Sequence, residues 1–289
     1  MLPSAELPQL FALAAALLFA TGNHFQSIGL PTADRHSALL VNVATGALVY
    51  LALAPLYFSW SDLETRAALL FALVGVFRPP LSMTFSLMAI GAMGPTLASA
   101  FAATAPMFAA AFAIALLGET MTLPIAIGTS LIVGGAVIAT LRPASVKRAW
   151  PIWAIGLPLM TAAIRAGAHA ITKLGLEDVG NAMFASLLGY VVGVTVISIG
   201  FIIRGHRFTG SVRSLRWFVL AGLCSSAGIF CLNTALNLGT VLTVAPIAAT
   251  APIFALALSV AIFRKETITW RTVGAIGLVV PGVILLIVS

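Results

Sequence analysis

The sequence predicts an all-α membrane protein of ten transmembrane helices in two inverted five-helix repeats. Three observations predict it. First, 61% of the 289 residues are hydrophobic and 8% are charged, whereas soluble domains carry roughly a quarter charged residues. Second, apolar stretches of spanning length recur along the whole chain. A hydrocarbon core about 30 Å thick takes about 20 helical residues, so ten spans leave only short loops and no room for a soluble catalytic domain. Third, AATAPMFA at 102–109 returns as AATAPIFA at 248–255, 146 residues later, with seven of eight residues identical. One half is a diverged copy of the other, and an odd number of spans per copy forces the copies into opposite orientations.

The first repeat, 1–141, holds spans at 7–29, 38–60, 67–90, 95–117 and 122–141. A basic linker, 142–149, joins it to the second repeat, 150–289, with spans at 150–172, 181–203, 217–238, 241–263 and 270–288. The opening MLPSAELPQL carries Glu6 and no Lys or Arg, so it lacks the basic n-region of a cleavable signal peptide. Short turns around GAMGP and LGTVLT make tight hairpins of spans 3–4 and 8–9. Cys224 and Cys231 lie seven residues apart on one span, too far for a disulfide, and read as small packing residues.

Charge gives the sidedness. Eleven basic residues fall in the loops of one side: Arg35, Arg142, Lys147, Arg148, Arg204, Arg207, Arg213, Arg216, Arg264, Lys265 and Arg271. The other side carries Arg66 and Lys173 among the acids Glu6, Asp62, Glu64, Glu119, Glu177 and Asp178. The positive-inside rule places the basic loops in the cytoplasm and both termini outside. The net charge of +7 is therefore a topology signal and not a nucleic-acid footprint. Trp60, Trp150, Trp153, Trp217 and Trp270 all fall at span ends, as an interfacial belt requires.

The order of several loose motifs carries a family resemblance. Ala89-Ile90 and Ala235-Leu236 end the third span of each half, and Pro106 and Pro252 follow in the fourth. Then come the turns with Glu119 and Glu266, and Gly-rich fifth spans holding Gly128, Gly134 and Gly135, and Gly274, Gly277 and Gly282. Over nearly its whole length the chain resembles the EamA family of the drug/metabolite transporter superfamily. The resemblance implies ten helices in two inverted halves and transport of small metabolites, often export of amino acids or their derivatives. Many members carry basic residues on the terminus side, whereas here the charges place the termini outside. The expected location is a bacterial inner membrane.

Candidate site residues come from polar groups set deep in apolar spans. Arg78, followed by Pro79-Pro80, lies near the middle of span 3, and Arg165 lies well inside span 6, neither with an acid at helical spacing. A central Arg costs roughly 2.5–3.5 kcal/mol on insertion scales, so each must face a polar cavity, backbone carbonyls or an anion. Guanidinium forks suit a carboxylate or phosphate; the other reading is a bond to carbonyls freed by a helix break. His169 shares a face with Arg165, and Gly22-Asn23-His24 lines up with Gly167-Ala168-His169. His24, His169 and Asn23 are candidates for binding substrate or, for the histidines, carrying a proton; bonding to a neighbouring helix is the alternative. Asn233 and Asn237 share a face and read as interhelical glue. Pro106 and Pro252 are candidate hinges for alternating access, with a static kink as the alternative. Glu119 and Glu266 read as carboxylates at helix starts. No third ligand lies at zinc spacing beside the histidines, so neither metal nor cofactor is expected.

No Asp or Glu lies deep in any span, which speaks against exchange of protons for lipophilic cations. The expectation is a secondary transporter, exporting a small anionic or zwitterionic metabolite that bears a carboxylate, such as an amino acid. Protons are a candidate coupling ion, and one chain is expected to work as a monomer in the bilayer. A facilitator or uptake carrier for a nucleotide-like compound, organic acid or vitamin is the alternative. No GxxxxGK[ST] motif supplies an ATP site, and without HExxH or GxSxG an intramembrane enzyme lacks its chemistry. A non-transporting scaffold would lack a solute-accessible cavity.

Overall fold

The computed structural model describes residues 6–140, 151–261 and 270–288. Among these residues the chain is helical throughout, without strands. The linker 142–149 and Glu266 lie outside them. The first half runs α1 (Leu7–Gly29), α2 (Arg35–Leu53), α3 (Arg66–Val76), α4 (Ser82–Met93), α5 (Pro95–Ala102), α6 (Ala105–Leu117) and α7 (Leu123–Thr140). The second runs α8 (Gly156–Asp178), α9 (Ala182–Ile203), α10 (Val212–Leu238), α11 (Val241–Ala248), α12 (Ala251–Ala261) and α13 (Trp270–Val288). Among the described residues eight helical stretches are long and apolar enough to cross a bilayer: Arg35–Leu56, Arg66–Met93, Leu97–Leu117, Leu123–Thr140, Ile152–Asp178, Ala182–Ile203, Val212–Leu238 and Val241–Ser259. The protein is an integral membrane protein. Trp60, Trp153 and Trp270 are largely exposed at helix starts.

Local chemistry sets the helix ends. Asp34 accepts from Ser37 N at 2.8 Å to start α2, Asn181 accepts from Phe184 N at 3.0 Å to start α9, and Ser211 accepts from Ser214 N at 3.1 Å to start α10. Gly118, at φ 66°, ends α6 in the left-handed region. Between α3 and α4, Phe77–Leu81 forms a π turn. Pro79 and Pro80 lack the N–H for the ladder, and their rings would clash with carbonyls one turn back, so the coil widens there.

Packing runs mainly between the halves: α1 against α10, α2 against α9 and α10, α3 against α9 and α8, α6 against α8, and α7 against α13. Glycines permit the close approaches. A Cβ on Gly128 would lie 2.9 Å from Gly282 O, and one on Gly282 2.8 Å from Gly128 O. A Cβ on Gly135 would meet Ala275 O at 2.8 Å, so α7 and α13 touch backbone to backbone and antiparallel. The pair α2 and α9 is also antiparallel: Gly46 packs on Tyr190, while Asn181 Nδ2 donates to Tyr57 O at 3.2 Å. By contrast α2 runs parallel to α10, with Asn42 and Thr45 beside Gly222 and the Tyr50 hydroxyl donating to Ser226 O at 2.6 Å.

Spans read as single helices are broken in two places. The fourth span divides into α5 and α6 at Ala103–Thr104, and the ninth into α11 and α12 at Ala249–Thr250. The breaks fall upstream of Pro106 and Pro252, because a proline fits within the first helical turn, where its missing N–H has no ladder partner to lose. Thr104 Oγ1 donates to Phe101 O and Thr250 Oγ1 to Ile247 O, each at 2.7 Å. The two breaks are thus built alike.

Candidate functional site

A cavity of about 420 Å³ lies between the halves. Its walls come from α1, the π turn, α4, both broken helices, α8 and α10. The repeated AATAP segments form much of the wall: Ala102, Ala103, Ala105 and Pro106 on one side, Ala248, Ala249, Ala251 and Pro252 on the other. Short side chains leave the space open, and both helix breaks lie along its wall. The wall extends to Ile90, Ala98 and Thr140, near the α4–α5 turn and the end of α7. At the opposite end, Glu119 closes the structure. Its Oε1 accepts from Val241 N at 2.7 Å and its Oε2 from Leu242 N at 2.8 Å. Both residues are buried, at 0% and 2% exposure. Glu119 therefore caps the start of a second-half helix, not the helix that follows it. Chain order points Glu119 at α7, and only the tertiary fold puts α11 in its reach.

The cavity gathers Arg78, Arg165, His169 and Asn23. The π turn sets Arg78 at the wall, and Arg165 and His169 project from one face of α8. Arg165 is exposed although it lies mid-helix, because its surface borders the cavity. Among the described residues no Asp or Glu lines the cavity and neither arginine forms an ion pair. His169 Nδ1 is buried without a hydrogen-bond partner among the described residues. His24 stands outside the wall: its Nε2 donates to Ala255 O of α12 at 2.7 Å. Asn233 Nδ2 donates to Ser186 Oγ at 2.8 Å, and Asn237 Nδ2 to Gly180 O at 3.1 Å, so both bridge α10 to the α9 region. A second chamber of about 190 Å³ adjoins the cavity, and Arg78 and Phe19 line both. Nothing in the sequence signals this chamber, since its wall is assembled from six separate helices and the π turn.

The architecture has a precedent among known sequences. The profile of the EamA-like transporter family matches residues 7–141 and again 152–288. The chain belongs to the EamA-like transporter family. The EamA profile matching twice in one chain independently marks the duplication, and it makes this a transporter-type membrane fold of two repeats. A crystal structure described simply as that of a protein aligns over 96% of this EamA chain and 95% of its own, with a TM-score of 0.80 and 17% identity, a likeness of fold. No curated protein matches the sequence significantly.

Proposed function

We propose that the chain is a secondary transporter that exports a small anionic or zwitterionic metabolite bearing a carboxylate, such as an amino acid, across a bacterial inner membrane. The observation that carries this reading is the pair Arg78 and Arg165, facing one cavity between the halves with no acid beside them. Two guanidiniums in a low-dielectric wall are strongly favoured by an anion placed between them. Pro106 and Pro252, beside matching breaks that border the cavity, act as hinges in this reading.

The ten-span arrangement of inverted repeats is part of the same proposal. Counting α3–α4, α5–α6 and α11–α12 each as one span gives five spans per half. The antiparallel pairs α2/α9 and α7/α13 join repeat-equivalent helices, as a two-fold axis in the membrane plane requires. With the basic loops in the cytoplasm, the cavity leans towards the cytoplasm and the Glu119 cap lies on the outer side. Both halves sit in one chain, so a monomer is a complete unit.

The test is uptake of labelled amino acids and organic acids into inverted membrane vesicles. Saturable flux is expected, and Arg165→Ala should abolish it. Flux that persists unchanged in Arg165→Ala would remove the site assignment, and vesicles without saturable flux of any carboxylate would remove the function.

A further inference from the structure

We infer that the side chamber behind Arg78 is the specificity subsite of the cargo, and that the cargo is a monocarboxylate with an apolar tail about the size of a benzene ring and no cationic group. This rests on the carrier reading above and, of the anionic and zwitterionic cargoes that reading admits, keeps the anionic and excludes amino acids. The geometry starts from Arg78 and Phe19, which form the partition between the two spaces. A carboxylate bound at Arg78 meets the one charged side chain that borders both spaces, so the rest of such a cargo has the chamber within reach.

Size and wall chemistry then select the tail. The chamber has about 190 Å³, and a dry apolar cavity of roughly 150 Å³ accepts benzene. Phe71, Val74, Val43 and Ile229 supply apolar wall. Several of the polar side chains there already serve one another or the backbone, while Asn233 Oδ1 is buried without a partner among the described residues. Asn233 donates to Ser186 at 2.8 Å, Ser186 donates to Ala182 O at 2.8 Å, and Asn42 donates to Ser225 at 3.3 Å. Gly189 is part of the wall, and a Cβ built on it would meet nothing within 4 Å. It shares a helical face with Ala185 and Ser186, which also line the chamber. Glycine at that place keeps space open that any side chain would occupy.

Charge selects the head. Among the described residues neither wall carries an Asp or Glu. The ammonium of an amino acid would therefore meet two guanidiniums and no counter-ion, a repulsion that grows as water is excluded. A plain carboxylate keeps the attraction without that cost.

The test is calorimetric titration of the full chain in detergent with acetate, 3-phenylpropanoate, phenylalanine and 3-(naphthyl)propanoate. Burial of a ring predicts 3-phenylpropanoate at least about tenfold tighter than acetate. Phenylalanine, with the same ring, should bind more weakly than 3-phenylpropanoate, and the naphthyl acid should lose affinity because it outgrows the chamber. Gly189→Leu should erase the advantage of 3-phenylpropanoate over acetate. Equal affinities for acetate and 3-phenylpropanoate, or tighter binding of phenylalanine, would overturn the subsite; if that binding still disappears in Arg165→Ala, the carrier reading stands. No binding of any carboxylate removes both. Should Gly189→Leu fail to fold, the ligand series on the unaltered chain decides.

Discussion

Arg78 and Arg165 both line the cavity, without an ion pair among the described residues. Arg78→Lys keeps the charge but loses the planar fork, so it should weaken carboxylate affinity and retain measurable binding, while Arg78→Ala should remove binding altogether; calorimetry separates the two. Glu119 makes a different prediction. Glu119→Gln leaves one acceptor for two backbone donors and removes a charge from a helix start, which costs about 0.5–2 kcal/mol. A lowered Tm should follow. Asp34, in the turn before α2, shows the pH dependence. Burial works against its charge, but hydrogen bonds from Thr209 and from Ser37 outweigh it and hold the carboxyl at about 2, below its ordinary 3.8. A depressed folded value contributes stability above pH 3.8 and loses it as pH falls through about 2. The side chain is 38% exposed, so solvent screens much of the effect. The Tm difference between the protein and Asp34→Asn should accordingly shrink from pH 4 to pH 2.

At the scale of elements, long apolar runs were legible because the bilayer demands them, and the span positions follow the helices closely. The breaks were legible only in part. Pro106 and Pro252 announce an irregularity, but it falls at Ala103–Thr104 and Ala249–Thr250, because a proline opens a helix more readily than it ends one. The deep arginines were legible from their cost in lipid, whereas the contact of His24 with Ala255 O was not, since nothing local predicts a partner 231 residues away. Glycine content marked the fifth span of each half, and the structure says which glycines matter: Gly128, Gly135 and Gly282 meet the partner helix, while Gly274 and Gly277 meet nothing within 4 Å. Gly128→Leu should therefore cost about 1–3 kcal/mol through overpacking, and Gly277→Ala should leave Tm nearly unchanged; thermal unfolding in detergent checks both. If Pro106 and Pro252 act as the proposed hinges, replacing either with Ala should slow flux more than it weakens binding, and parallel transport and titration measurements read that split.

At the scale of the whole molecule, two copies of one design hold unequal contacts. Ala109 and Ala255 are the same position of the repeated segment, and His169 and His24 stand at matching places in α8 and α1. In this structure the first-half ring reaches across to Ala255 O, while His169 Nδ1 has no partner among the described residues. On the carrier reading proposed above, a flip that lets each half take on the other's shape would undo that bond and make its mirror. The opposite-facing form of that proposal would then be recognisable by a ring on α8 resting against the Ala109 carbonyl, and a spectroscopic label on either imidazole would report which way the molecule is turned.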